Sequence, residues 1–134
     1  MNSDYQERRQ RQRFAAQRDG KPAISLQTGD QRTFLIDLSI DGFSIPAGIV
    51  EAEVEFDFEL RLVDGFGDKV RGRAKAMNQL GEGTNGQTGC RFLTLAEGGE
   101  KMLQEWLTVI VICGASVRLT PADAEAIVKG PSLI

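Results

Sequence analysis

Charged and apolar residues alternate along residues 51–62 with hardly an exception. A period of two places successive side chains on opposite faces of a strand, so this segment is predicted to be a half-buried strand of an antiparallel sheet. We interpret the carboxylates as solvated side chains rather than metal ligands, because they are spread along one strand face. The charged face comprises Glu51, Glu53, Glu55, Asp57, Glu59 and Arg61, and the apolar face comprises Ala52, Val54, Phe56, Phe58, Leu60 and Leu62.

Five further segments have the length and the flanking turn residues of strands. Thr28-Gly29-Asp30 predicts a hairpin turn between the first two of them. The glycine-rich residues 81–89 are interpreted as a hairpin tip, since they lack the pattern of a phosphate-binding loop. Strands joined by short turns, without helices between them, predict an antiparallel sandwich or a small barrel. The five segments are residues 23–27, 32–38, 43–45, 70–77 and 90–95.

The hydrophobic period changes to that of a helix in the last third of the chain. The β-branched residues 109–112 would also suit a strand, so the end of this helix is left open. Thr120 as N-cap and Pro121 at the first helical position predict the start of a second helix. Gly130-Pro131 ends it. The apolar positions at helical spacing in the first helix are Leu103, Trp106, Leu107, Ile110 and Cys113.

Composition narrows the classes of protein that this chain can represent. Its 134 residues suit one domain with a single core, and its net charge of −3 gives no overall attraction to nucleic acid or anionic lipid. The sequence contains no histidine, which removes the usual general base and zinc ligand. Cys90 and Cys113 show neither metal-ligand nor redox spacing, which favours the reducing cytoplasm. We expect no signal peptide, no membrane segment, no metal and no cofactor.

Anion-binding chemistry is concentrated near the start of the chain, where the first eighteen residues carry five arginines. Arg9 and Arg13 have the spacing R-x-x-x-R. About two dozen residues later, Asp37, Ser39 and Gly42 have the spacing D-x-S-x-x-G. A segment that reads as a strand separates the two motifs.

This pairing of motifs resembles the PilZ domain, the bacterial receptor module for cyclic di-GMP. The resemblance covers residues 8–112, and Gly89-Cys90-Arg91-Phe92 also looks like the closing strand of PilZ domains. It implies a mainly β fold, a six-stranded antiparallel barrel with one or more C-terminal helices, and a receptor that is not an enzyme. It also implies a set of cyclic di-GMP ligands, which are Arg8, Arg9, Arg13, Asp37, Ser39 and Gly42.

The side chains of these residues suit that ligand. The planar fork of arginine bonds phosphate oxygens bidentately, stacks on aromatic rings and bonds the O6 and N7 edge of guanine. Asp37 accepts from the N1 and N2 donors of guanine, and Ser39 bonds phosphate or guanine. Gly42 is expected to supply a turn with positive φ. Arg8 looks like the extra arginine of family members that take an intercalated dimer of the ligand.

The expected organisation is a flexible arm (residues 1–20) that carries the arginines, a β-barrel (residues 21–95) and a helical region (residues 96–134). For the last region, packing on the barrel, a homodimer contact and a connection to a larger protein are all left open. The expected partners are cyclic di-GMP and a downstream protein of the motility or exopolysaccharide machinery. The sequence does not choose between these two pathways.

Three other functions compete with that of a receptor that orders its arm on ligand binding. The first is a PilZ-like protein-interaction module that binds no ligand. The second is a small barrel that binds single-stranded nucleic acid, which would need aromatic platforms on a basic sheet face. The long strand has an acidic face instead, so this function ranks low. An enzyme ranks last, because no nucleophile or general base is evident.

Overall fold

The computed structural model describes residues 12–18, 20–63, 67–80, 86–114 and 120–130. Within these ranges the chain forms ten strands and two helices. The helices are Gly99–Gly114 (α1) and Pro121–Lys129 (α2). The strands are Phe14–Ala15 (β1), Gln17–Arg18 (β2), Lys21–Pro22 (β3), Ile24–Thr28 (β4), Gln31–Phe34 (β5), Asp37–Leu38 (β6), Gly42–Pro46 (β7), Glu55–Leu62 (β8), Lys69–Leu80 (β9) and Gln87–Leu95 (β10).

The described strands make one curled antiparallel sheet in the order β1-β6-β7-β10-β9-β8-β4-β5, and β2 and β3 form a separate ribbon. The predicted fold class, mainly β with a PilZ-like barrel and C-terminal helices, is confirmed, although the number of strands differs from six. The hairpin predicted at residues 28–30 is also confirmed: Gly29 has a φ of 57° between the paired residues Thr28 and Gln31.

The strand predicted at residues 32–38 is divided into β5 and β6 by Leu35 and Ile36. The Leu35 amide donates to Ile24 O on β4, and the Ile36 amide donates to Ser44 O on β7. Strand β4 lies near one end of the sheet and β7 near the other. Two consecutive residues therefore bring the ends of the curled sheet together, which a pattern of apolar residues does not reveal.

The core is built around Phe43 of β7, which is fully buried. Its ring lies 5.5 Å from the rings of Phe58 and Phe92 and 6.4 Å from that of Phe56, measured between centroids. Helix α1 adds Leu103, Trp106 and Leu107 to the same core. Edge-on and tilted contacts between aromatic rings stabilise a core beyond the area that they bury.

Two details of the helices differ from the sequence pattern. Residues 109–112 are helical, so α1 continues to Gly114, and Cys113 is exposed although its spacing matches the buried face. Helix α2 begins as predicted: Thr120 Oγ1 accepts from the Asp123 amide, and Pro121 is the first helical residue. None of the described helices is long and apolar enough to cross a membrane.

The strand predicted at residues 51–62 begins only at Glu55. Ala52 and Glu53 form a turn in which Glu53 has a φ of 70°, and Val54, expected to face the core, is 41% exposed. Charged and apolar residues thus continue to alternate through residues 51–54, although the backbone there is not an extended strand.

The acidic face of β8 lies beside a basic face of β9. Glu59 accepts from Arg61 Nε at 2.7 Å and from Arg71 Nε at 2.8 Å, and Asp57 accepts from Arg73 Nη1 at 3.0 Å. In the described residues no group of three or more His, Cys, Asp or Glu side chains is placed to hold a metal ion. The carboxylates of β8 are instead neutralised across the strand pair.

These ion pairs predict a pH-dependent contribution to stability from Glu59. Hydrogen bonds from Arg71 and then Arg61 lower the pKa of the Glu59 carboxyl below its ordinary value of 4.5. The stabilisation is therefore present above about pH 4.5 and is lost as the pH falls through the lowered pKa of the folded state. Glu59→Gln should reduce the free energy of unfolding by about 0.5–1 kcal/mol at neutral pH and by less near about pH 3.5, in urea titrations.

Glu97→Gln is the matched control, because Glu97 is exposed and makes no ion pair within the described part of the chain. It should leave the free energy of unfolding unchanged at both pH values. An equal loss for Glu59→Gln at both pH values would contradict the assignment.

Candidate ligand-binding site

The turn between β6 and β7 is held by the hydroxyl group of Ser39. Ser39 Oγ accepts from the Asp41 amide at 3.1 Å and from the Gly42 amide at 3.2 Å, and it donates to Gly42 O at 3.3 Å. A hydroxyl has one donor and two acceptor sites, so this turn uses them all. Ser39 is 2% exposed. A bond from Ser39 to a ligand, as the sequence predicted, would replace one of these three.

Gly42 is required for a reason other than the one expected from the sequence. Its φ is not in the positive, left-handed range, so the expected positive-φ turn is wrong. Strand β10 instead approaches so closely that a Cβ on Gly42 would lie 2.0 Å from Cys90 O. Phe92 also donates its amide to Asp41 O. The glycine therefore allows the turn to pack against the backbone of β10.

Arg13 and Asp37 meet because the first strand pairs with β6. Phe14 lies opposite Leu38 and Ala15 opposite Asp37, which brings the residue before β1 to the start of the motif. Arg13 Nη1 donates to Asp37 Oδ1 at 2.9 Å, with the side chains 47% and 23% exposed. The structure thus joins one arginine of R-x-x-x-R to the aspartate of D-x-S-x-x-G.

Arg8 and Arg9, the other two predicted arginine ligands, lie outside the described residues, as does Arg11. The expected division into arm, barrel and helical region stays a proposal. Within the range expected for the arm, however, Phe14 packs against the core and β1 belongs to the sheet.

Two buried residues beside the Arg13–Asp37 pair were not predicted as site residues from the sequence. Cys90 on β10 is buried, which raises the pKa of its thiol to about 12, and the positive charge of Arg13 acts in the opposite direction. The thiol therefore stays protonated.

Ser44 on β7 lies directly opposite Asp37 and is 3% exposed. A serine between two apolar residues is ordinary in a strand, so only the register could reveal this position.

A surface cleft of about 670 Å³ adjoins the motif turn at Ile40. Its other walls are residues 92–95 of β10, the turn that follows them, and the first turns of α1, where Glu100 and Lys101 lie at its edge. Neither Arg13 nor Asp37 lines this cleft. The cleft and the motif residues are therefore neighbouring but separate features.

The family model described as PilZ domain matches residues 7–108, which include all the motif residues. The chain belongs to the PilZ family. PilZ domains are receptor domains for cyclic di-GMP. No curated protein sequence matches this PilZ domain.

Two solved structures are similar to this PilZ domain. One is Escherichia coli YcgR in complex with c-di-GMP, with a TM-score of 0.57 and 20% identity over 73% of this chain and 43% of that chain. The other is the Bacillus subtilis inhibitor of motility MotI/DgrA, with a TM-score of 0.50 and 14% identity over 63% of this chain and 44% of that chain. At these identities the likeness concerns the fold. The PilZ domain spans less than half the length of either protein.

Gly42→Ala should destabilise this PilZ domain by about 2 kcal/mol or more, because the added Cβ collides with backbone rather than with a mobile side chain. Gly99→Ala is the matched control: its Cβ would meet the Leu95 side chain at 3.3 Å, and alanine favours a helix. We expect the control to change the free energy of unfolding by less than about 1 kcal/mol. A Gly42→Ala variant as stable as the wild type would contradict the close approach of β10.

Proposed function

We propose that this PilZ domain is a cytoplasmic, non-enzymatic receptor that binds cyclic di-GMP through Arg8, Arg9, Arg13, Asp37, Ser39 and Gly42. The observation that carries the proposal is the contact between Arg13 and Asp37. These residues are 24 positions apart, and each belongs to a different half of the motif. A guanidinium and a carboxylate at one surface position provide complementary groups for a ligand that carries both phosphates and guanines.

The proposed roles follow from the donors and acceptors of each group. Arginine side chains bond phosphate oxygens and stack on guanine, and Asp37 accepts from the N1 and N2 donors of guanine. Ser39 and Gly42 hold the turn that presents Asp37, since the Ser39 hydroxyl is fully engaged there. In this proposal their contribution to the ligand is made chiefly through the shape of the turn.

Ligand binding on these terms exchanges one ion pair for others. Arg13 leaves Asp37 for a phosphate or a guanine face, and Asp37 gains the guanine donors. An exposed ion pair contributes only about 0–1 kcal/mol, so its loss costs little, and both charged groups keep a partner throughout. The pair therefore satisfies both charged groups without closing the proposed site to the ligand.

We further propose that Arg8 stacks on a second ligand molecule, so that an intercalated pair of cyclic di-GMP molecules binds. Residues 1–13 lack an apolar period and cannot offset their ordering entropy unaided. The ligand supplies the missing partners, and the ordered arm then presents a new surface to a downstream protein. Because one structural relative is an inhibitor of motility, the motility machinery is a natural candidate for that partner, beside exopolysaccharide machinery.

The second candidate is a protein-interaction module that does not bind the nucleotide. The Arg13–Asp37 pair favours it to the extent that these two groups satisfy each other without a ligand. Binding of single-stranded nucleic acid finds no support in the outer face of β8 and β9, where acidic and basic side chains neutralise one another.

Isothermal titration with cyclic di-GMP tests the proposal, with GTP and an oligonucleotide as competing ligands. Arg9→Ala or Arg13→Ala should weaken binding by about 10- to 200-fold, the loss of a charge-assisted hydrogen bond. For Arg13→Ala the measured loss of binding free energy is smaller than the full strength of the Arg13–ligand bonds. The wild type gives up the bond between Arg13 and Asp37 when the ligand binds, and that cost is subtracted. The stoichiometry should be near two for the wild type and should fall toward one for Arg8→Leu.

Arg11→Ala is the matched control, since it removes an arginine of the same cluster that falls between the motif positions. The affinity of Arg11→Ala for cyclic di-GMP should stay close to that of the wild type. Unchanged affinity of both motif variants would overturn the assigned site, and a wild-type stoichiometry of one would overturn the intercalated pair alone.

Hydrogen exchange tests the ordering of the arm. Cyclic di-GMP should give strong new protection to residues 5–13, whereas Phe14–Ala15 is already paired with β6 and Glu55–Leu62 already lies inside the sheet. An arm protected equally with and without ligand would mean that the site is preformed. The signal to the partner would then have to come from another region, such as the C-terminal helices.

A further inference from the structure

A buried hydroxyl group lies beside the proposed guanine acceptor. Ser44 is 3% exposed, and its Oγ has no hydrogen-bond partner among the described residues. Ser44 is the cross-strand partner of Asp37 in the β6–β7 pair. Side chains directly opposite each other project from the same face, with their Cβ atoms about 4.5–5.5 Å apart. The Ser44 hydroxyl and the Asp37 carboxylate therefore occupy adjacent positions on one face.

The neighbours of this pair of residues have little or no side chain. Ala15 lies opposite Asp37 on one side, and Gly89 lies opposite Ser44 on the other. The row across the four strands thus reads alanine, aspartate, serine and glycine, with two polar groups at its centre. A buried hydroxyl without a partner is unfavourable, and such a group in a folded protein calls for an explanation.

We propose that Ser44 and Asp37 together recognise guanine by hydrogen bonding, an inference that rests on the proposed cyclic di-GMP binding. The edge of guanine that presents the N1 and N2 donors also presents the O6 acceptor. A carboxylate can only accept, whereas a hydroxyl can donate. Asp37 takes the N1 and N2 donors, and the Ser44 hydroxyl donates to O6 once Arg13 has moved from Asp37 to the ligand.

This arrangement gives the site a means of selecting guanine over adenine. Adenine carries an amino donor at the position of O6. A hydroxyl can also accept, but an adenine edge lacks the N1 and N2 donors that Asp37 requires. Ser44 and Asp37 together therefore match one purine and leave a carboxylate without a donor on the other.

The test is the variant Ser44→Ala, measured both by titration with cyclic di-GMP and by thermal unfolding without ligand. Affinity should fall by about 3- to 10-fold, the effect of one neutral hydrogen bond. The midpoint of unfolding should stay the same or rise, because the hydroxyl loses no protein partner. A ligand contact and a structural contact are distinguished by these opposite signs.

Thr88→Val is the matched control. Thr88 is fully buried on β10, and its Oγ1 likewise lacks a partner within the described ranges. It lies opposite the core residue Ile45, on the face away from Asp37. Removal of the Thr88 hydroxyl group should leave the affinity for cyclic di-GMP unchanged, while the free energy of unfolding stays the same or rises. A loss of affinity as large as that of Ser44→Ala would overturn the inference.

Cyclic di-IMP, which keeps O6 and lacks the N2 amino group, locates the contact. Ser44→Ala should weaken cyclic di-IMP and cyclic di-GMP by the same factor, since both retain O6. An effect confined to cyclic di-GMP would place the hydroxyl elsewhere and overturn the inference. Equal affinity of the wild type and Ser44→Ala for cyclic di-GMP would overturn the role of Ser44 and leave the proposed function standing. A wild type that binds no cyclic di-GMP would overturn the proposed function as well.

Discussion

The hydroxyl group of Ser39 makes three hydrogen bonds within a span of four residues, and the geometry of the site depends on them. They fix the turn between β6 and β7, which sets the register that places Ser44 opposite Asp37. The same turn rests against β10, where Gly42 leaves room for Cys90 O. Because β6 also pairs with β1, the turn indirectly determines where Arg13 meets Asp37.

Charged side chains serve two different purposes in this molecule. On β8 and β9 they form a ladder in which Glu59 and Asp57 have basic partners on the adjoining strand, so the sheet face is neutralised by its own residues. Near the motif, Arg13 and Asp37 form a partly exposed pair that costs little to separate. The first arrangement neutralises one face of the sheet, and the second holds the two charged groups that the proposed exchange with a ligand uses.

Buried hydroxyl groups show a comparable division. Ser39 uses its whole hydrogen-bonding capacity inside the turn, whereas the Ser44 hydroxyl has no partner within the described structure. The two serines are five residues apart, and residue type alone does not distinguish their roles. Their difference arises from position: one hydroxyl bonds the amides of its own turn, and the other belongs to a residue paired with an aspartate of the neighbouring strand.

The sequence by itself determined the class of fold, the family and most of the strands and helices, because alternation, turn residues and helix caps are local signals. The period of residues 51–62 indicated β8, and Thr120 indicated the start of α2. The tertiary structure decided what depends on distant backbone. It divided residues 32–38 through hydrogen bonds to opposite ends of the sheet and began β8 four residues late at the Glu53 turn. It required glycine at position 42 because another strand passes within contact distance, and it paired Ser44 with Asp37 through strand register. The division at Leu35 and Ile36 and the need for glycine at position 42 have no local signal, because each depends on a strand that is distant along the chain.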